Sequence, residues 1–176
     1  TVYAFADSGR VESARKTKNS GGGSFEIGFY DEACQNLASN LNEMKLDSFD
    51  GDEDEDYYED EKRNYDKDAS YVISGKLTEI AEHRLEAARD KGYGNGNIPG
   101  EGELSDYLKA IGYNSGRRSM EVYIRNADGA DEAEEKILDL QEDAKKRKDR
   151  PDYYSEMGIA HREDGGRDYY MVIFMR

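Results

Sequence analysis

The spacing of apolar residues along the chain predicts four helices. Apolar residues recur every three to four positions, as on one face of a helix, in the ranges 28–46, 75–92 and 130–149, and a short helix is expected at 104–111. Gly92 is well placed to end the second helix, because glycine readily adopts the backbone conformation that follows many helices.

Three further segments have the pattern of β-strands. Between Ser119 and Arg125 apolar and polar residues alternate, which predicts a half-buried strand. Residues 154–162 and 168–175 are β-rich runs joined by a glycine-centred turn, as in a hairpin. The last run is apolar on both faces, which indicates a strand covered on both sides. The pattern predicts an α+β fold, a three-layer α-β-α sandwich with a small, about three-stranded antiparallel sheet.

Composition narrows the classes of protein to which the chain can belong. With 176 residues, one domain is expected, and because only 36% of them are hydrophobic while 37% are charged, part of the chain is expected to be unfolded or purely solvated. The formal net charge of -15 repels phosphate backbones and anionic lipid surfaces, so nucleic acid and membrane partners are discounted. No run approaches the length of a transmembrane helix.

The acidic charge is concentrated in residues 47–68. This segment holds 12 acidic residues and 3 basic ones. Such blocks are usually solvated and disordered, so the segment is interpreted as a disordered acidic insert. Weak calcium binding by its carboxylates is the alternative, although the residue order of an EF-hand loop is absent.

Residues 1–24 are interpreted as the remnant of a signal peptide followed by a flexible leader. Ala4-Phe5-Ala6 has the small-residue pattern of a signal-peptidase site. Residues 7–24 are polar and rich in Gly and Ser, as expected of a tether. Residues 25–176 are then expected to form a single domain that carries the acidic insert.

The order and motifs of the C-terminal quarter resemble a known family. After the helix at 130–149 come Pro151-Asp152-Tyr153, then Met157-Gly158-Ile159-Ala160, a hairpin and the apolar run Tyr170-Met171-Val172-Ile173-Phe174. Earlier, Leu77, Ala81 and Arg84 stand at the spacing Leu-x-x-x-Ala-x-x-Arg. The chain in this respect resembles the bacterial branch of the CAP superfamily, the SCP/PR-1-like secreted domains. The resemblance implies their α-β-α sandwich.

The resemblance also implies where a functional cleft would lie. Members of the family often direct two His and two Glu into one cleft, where they can hold a divalent metal. Here Gly94 and Ala144 stand at the His positions, while Glu121 and Glu142 stand at the Glu positions. Together with Tyr123, these two glutamates form the candidate cleft. Carboxylates without His partners make no zinc site, so no metal, cofactor or catalytic residue is expected. The surroundings of Glu121 decide between an open cleft and a filled contact.

The other residue types that carry chemistry have simpler interpretations. Cys34 is the only cysteine and lies on an apolar helical stripe, which indicates a buried, inert thiol. His83 is interpreted as a surface or core-edge residue of a helix, and His161 as a solvent-facing or edge residue at the end of a strand. No Ser-His-Asp arrangement can be proposed from the spacing.

The sequence therefore favours a secreted, non-catalytic CAP-like binding module. Its ligand is expected to be an extracellular protein, glycan or lipid, and its location the cell surface or the medium of a Gram-positive bacterium. A hydrolase with an undefined cleft is one alternative. An acidic surface module that meets a cationic partner is the other.

Overall fold

The computed structural model describes residues 31–50, 70–113 and 116–176. In chain order the helices and strands are α1 (Glu32–Asp50), β1 (Val72–Ile73), α2 (Gly75–Lys91), α3 (Leu104–Ala110), β2 (Ser119–Ala127), α4 (Gly129–Asp143), β3 (Glu156–Asp164) and β4 (Arg167–Met175). Two short 3-10 turns, Arg147–Asp149 and Pro151–Tyr153, connect α4 to β3. The predicted leader and residues 51–68 of the predicted acidic insert lie outside the described residues.

The described strands form one mixed sheet in the order β1-β3-β4-β2. β4 pairs antiparallel with both β2 and β3, and the β3–β4 hairpin turns at Gly165 and Gly166 as predicted. β1 adds a fourth, parallel strand to the edge of β3, and the sequence pattern did not predict it. A strand of two residues is too short to show a period. The α+β class is confirmed, with a mixed four-stranded sheet instead of an antiparallel three-stranded one.

Helices cover both faces of this sheet. On one face α1 and α4 pack around Val122, Val172 and Phe174. On the other face α2 and α3 cover Met171 and Ile173. Successive residues of β4 therefore enter opposite cores, which explains why this strand is apolar on both faces.

Two helix ends differ from the predictions. α1 continues to Asp50 and so includes the first residues of the predicted acidic insert. α4 ends at Asp143, several residues before the predicted end, because Ala144 has an extended backbone conformation. The chain from 145 to 150 has no apolar residue to bury, and the buried Gln141 side chain accepts a hydrogen bond from the backbone N–H of Asp152 instead, at 3.0 Å.

α2 lies unusually close to β3 at Gly158. A Cβ atom built on Gly158 would lie 2.3 Å from the carbonyl carbon of Leu77 and 2.3 Å from the backbone nitrogen of Thr78. Only a residue without a side chain allows this approach. The glycine of the Met157-Gly158-Ile159-Ala160 run thus sets the distance between α2 and the sheet.

Candidate functional site

Glu121, the central residue of the candidate cleft, is engaged in a closed ion pair. The Arg84 Nε lies 2.7 Å from Glu121 Oε2, and the Arg84 Nη2 lies 2.8 Å from Glu121 Oε1. The hydroxyl of Tyr93 donates a further hydrogen bond to Oε1 at 2.9 Å. The side chains of Arg84 and Glu121 are 0% and 5% exposed. The alternation predicts that Glu121 lies on the open side of a half-buried strand, but here that side is closed by the Arg84 side chain from α2 and by Tyr93 from the loop after it.

Arg84 also holds the loop that follows α2. Its Nη1 donates to the backbone carbonyl of Gly102 at 3.1 Å, and its Nη2 donates to that of Gly96 at 3.3 Å. Burial and the negative charge of Glu121 raise the pKa of Tyr93, so its hydroxyl remains a hydrogen-bond donor at neutral pH. This bidentate, fully surrounded pair has the geometry of a structural contact.

The other two residues of the candidate cleft are divided between the faces of the sheet. The ring of Tyr123 lies 4.9 Å from that of Tyr93, edge to face, on the same side of the sheet as Glu121. Glu142 is exposed near the end of α4, which packs on the opposite face. Glu121 and Tyr123 are brought together, and Glu142 is separated from them by the sheet, because the chain crosses to the other face between β2 and α4.

His83 belongs to a polar cluster centred on Glu101. Its Nε2 lies 3.0 Å from both carboxylate oxygens of Glu101, and its ring stacks on Tyr107 with centroids 4.7 Å apart. The side chain is 48% exposed, which agrees with the prediction of a surface or core-edge residue on a helix. The Lys91 Nζ reaches the same carboxylate at 3.4 Å. Glu101 was not predicted, since it lies in a glycine-rich loop whose sequence carries no periodic signal.

His161 connects three elements through two carboxylates. Its Nδ1 lies 2.8 Å from Asp31 Oδ2, and its Nε2 lies 2.6 Å from Asp168 Oδ1. The other oxygen of Asp31 accepts the backbone N–H of Ala33 at 2.7 Å at the start of α1, and the other oxygen of Asp168 accepts that of Gly129 at 3.0 Å at the start of α4. At 10% exposure the His161 side chain is not solvent-facing, so that part of its interpretation was wrong. Among the described strands, β3 is an edge strand along most of its length.

The geometry requires that His161 carry a proton on each nitrogen when both contacts are made. Burial alone would lower its pKa, but the hydrogen bonds with Asp31 and Asp168 outweigh burial, and the pKa is raised. For Asp31, burial acts to raise the pKa, but the hydrogen bond and charge of His161 and the N–H groups of α1 lower it overall. The imidazolium form therefore joins the hairpin to the starts of α1 and α4.

We expect the free energy of unfolding to fall as pH rises through the raised pKa of His161. A group with a raised folded-state pKa contributes its full stabilisation below its unfolded pKa and loses it above the folded one. Asp31, with a lowered pKa, loses its contribution at the acid end, as pH falls through its folded-state value. Urea unfolding of the native chain and of His161→Gln across pH 5 to 9 would measure this dependence on pH. The expected loss is about 1.5–3 kcal/mol for each charge-assisted hydrogen bond that His161 gives up. If the free energy of unfolding changed with pH identically in both proteins between pH 5 and 9, the expectation would be contradicted.

A small cleft opens beside this cluster, at the edge of β3 between α1 and α2. Its volume is about 160 Å³, and we call it the edge cleft. It is lined by groups from α1, α2 and β3: Asp31, Cys34, Glu82, Leu85, Glu86, Arg89, Ile159, Ala160, His161 and Arg162. The residues of the candidate cleft do not line it. Sequence reasoning missed it because its walls come from segments far apart in the chain.

Cys34 and His161 line the same cleft, but they do not form a nucleophile and base. Both nitrogens of His161 face carboxylates, and the Cys34 thiol lies 3.7 Å from the backbone carbonyl of Ile159. Burial and the negative charge of Asp31 raise the pKa of Cys34 well above its usual value, which opposes formation of the thiolate. The predicted buried position of Cys34 is confirmed.

Cys34 should therefore react slowly with thiol reagents in the folded chain. At pH 7.5 we expect iodoacetamide to modify the native protein at least about tenfold more slowly than the urea-unfolded protein, since the thiolate is the reactive form. Mass spectrometry of quenched samples would give both rates. Equal rates would show that the thiol is exposed or activated.

Within the described ranges, no group of three or more His, Cys, Asp or Glu side chains is arranged to hold a metal ion. His161 and its two aspartates point at one another and not at a shared vacant position. That the chain binds no zinc stays a prediction. None of the helices in the described part is long and apolar enough to cross a membrane.

No known protein family, curated protein or solved structure matches the chain significantly.

Proposed function

We propose that the chain is a CAP-like domain that works as a secreted or cell-surface binding module and does not turn over a substrate. In this proposal the ligand, an extracellular protein, glycan or lipid, occupies the edge cleft. The resemblance in the C-terminal quarter supports the family, and the α-β-α layering of the described residues is compatible with it.

The state of Glu121 is the observation that carries the non-catalytic part of the proposal. At the position where the resemblance implies a cleft carboxylate, Glu121 is bound by Arg84 and Tyr93 and is almost completely buried. A carboxylate so engaged cannot activate water or hold a metal without first losing its partners, which is costly for a buried pair.

The edge cleft supports binding for a different reason. It combines backbone and side-chain hydrogen-bonding groups with charges of both signs, positive on Arg89 and Arg162 and negative on Glu82 and Glu86. Convergent polar groups in a concave site are typical of ligand recognition. The two groups that could have supplied covalent chemistry, Cys34 and His161, are held in inactive states.

Two measurements on the full chain test this proposal. In NMR titrations with peptides, soluble glycans and lipid micelles, we expect at least one class of probe to cause saturable shifts confined to residues that line the edge cleft. Generic peptide, ester and glycan substrates should show no turnover. Turnover that disappears in Glu121→Gln, with that variant still folded by circular dichroism, would instead make the protein an enzyme. Saturable shifts confined to another surface, or none with any class, would remove the edge cleft from the proposal.

A further inference from the structure

We propose that the ligand of the edge cleft is an extended peptide segment that adds to β3 as a further strand and places a carboxylate on Arg162. This inference rests on the proposed function and goes further by naming the class of ligand. An open strand edge, two helical walls and a guanidinium with a buried nitrogen that lacks a hydrogen-bond partner carry it.

The first step is the open edge of β3. β1 pairs only with Glu156 and Met157, and in the described part of the chain no strand lies beside β3 beyond them. The carbonyl of Met157 accepts the N–H of Ser74 at 3.0 Å, so the backbone groups of Met157 point away from β4. Because these groups alternate along a strand, those of Ile159 and His161 point in the same direction, into the edge cleft. The Cys34 thiol already contacts the Ile159 carbonyl at 3.7 Å, so the N–H of Ile159 and both backbone groups of His161 are the ones that offer an incoming chain the hydrogen bonds of strand addition.

The second step is the shape of the surroundings. The start of α1, with Asp31 and Cys34, lies on one side of this edge, and α2, with Leu85, lies on the other. The walls leave a cleft of about 160 Å³, which suits a few residues in extended conformation better than a helix, whose diameter is about 10 Å. The neighbouring strand β1, itself only two residues long, shows that a short pairing is accommodated at this edge.

The third step is charge. Among the described residues the Nη1 of Arg162 is buried without a hydrogen-bond partner, and its Nε lies 3.1 Å from Asp164 Oδ2 without the alignment of a hydrogen bond. The guanidinium also lies over the ring of Tyr169, 5.2 Å from its centroid. A buried donor without a partner is costly, so the side chain gains by turning into the cleft that it lines, where a ligand carboxylate is the acceptor that fits a guanidinium best. Arg89 adds a second positive charge to the lining.

The acidic members of the lining limit what the ligand can be. Glu82, Glu86 and Asp31 would repel a polyanionic glycan or an anionic lipid surface, whereas a single carboxylate can meet Arg162 without approaching all three. A peptide with one acidic side chain therefore complements the cleft in both backbone and charge.

The experiment begins with a phage-displayed library in which a fixed Glu is flanked by randomised residues, selected against the full chain. The enriched peptide and its Glu→Gln counterpart are then synthesised and titrated. We expect the Gln peptide to bind about tenfold more weakly, because a charge-assisted hydrogen bond is lost. Arg162→Gln in the protein should weaken binding of the Glu peptide by a similar factor, and the Glu and Gln peptides should then bind with equal affinity. Arg118→Gln, an exposed arginine before β2 at the far edge of the sheet, is the matched control and should change nothing.

The backbone part of the proposal has its own readout. A version of the enriched peptide that carries N-methyl groups at alternate residues cannot donate hydrogen bonds along one edge, and we expect it not to bind when the methylated edge is the one facing β3. In hydrogen exchange the amide of His161 should exchange quickly in the free chain and slowly in the complex.

Four outcomes would overturn the inference, and they are distinguishable from failure of the proposed function. Lack of any enriched peptide, with glycans or lipid micelles shifting the same cleft residues, would leave the binding module standing with another ligand class. If peptides, glycans and lipid micelles all fail to bind, both the inference and the proposed function are contradicted. Binding that tolerates N-methylation at either set of alternate residues would exclude strand addition. Slow exchange of the His161 amide in the free chain would show that the edge is already occupied, by another part of this chain or by a second copy.

Discussion

Replacing Gly158 by alanine is expected to destabilise the fold more than any other substitution in β3 that adds or removes a single methyl group. The added Cβ would lie 2.3 Å from two backbone atoms of α2, at Leu77 and Thr78, and backbone cannot rotate away as a flexible side chain can. α2 would have to move off the sheet, which would loosen the core around Ile173 and Met171. Overpacking of an ordinary core site costs about 1–3 kcal/mol, and we expect Gly158→Ala to cost about 3 kcal/mol or more.

The measurement is urea unfolding of Gly158→Ala beside Ala160→Gly, the matched control two positions along the same strand and on the same face. Ala160→Gly removes a methyl group from the same core and should cost only about 1 kcal/mol. A loss for Gly158→Ala no larger than that of the control would mean that α2 does not lie as close to β3 as the structure has it.

The helices and strands whose apolar residues recur with a clear period were the ones that the sequence could predict. α2 was predicted almost to the residue from its apolar spacing and from Gly92, whose N–H donates to the carbonyl of Ala88 at 2.9 Å. The Ser74 hydroxyl, which accepts the N–H of Leu77 at 3.2 Å, is a further local signal at the start of the helix that the prediction did not use. β4 was predicted because a strand buried on both faces needs apolar residues throughout. Both rest on information contained within a few neighbouring residues.

The polar centres could be predicted only in part, because they depend on pairings across the chain. Arg84 lies on the apolar stripe of its helix, which was a usable signal that its charge is paired, but the alternation of β2 puts Glu121 on the polar side of the strand and does not identify it as the partner. His161 and Asp31 are 130 positions apart, and nothing near either residue indicates the other. The edge cleft depends on that second kind of pairing, which explains why the sequence directed attention to Glu121 instead.

Breaking the Arg84–Glu121 pair from one side is the second large effect that we expect. Of the partners in the described structure, Arg84→Met leaves the buried carboxylate of Glu121 the Tyr93 hydroxyl as its close donor. Glu121→Leu leaves the buried guanidinium of Arg84 two backbone carbonyls and the more distant Glu101. Removing one partner of a buried pair typically costs about 3–5 kcal/mol, because the remaining charge is uncompensated. Each single variant should therefore lose about that much in urea unfolding.

The double variant Arg84→Met/Glu121→Leu decides whether the pair is a closed structural contact. With both charges removed, apolar side chains of similar size can fill the space between α2 and β2, and most of the loss should be recovered. The recovery should stay incomplete, since Arg84 also holds the carbonyls of Gly96 and Gly102. If each single variant instead lost less than about 1 kcal/mol, the magnitude found for exposed ion pairs, Glu121 would be solvated and free to act. That result would restore it as a residue of an open cleft and would remove the main support for a module that binds without turnover.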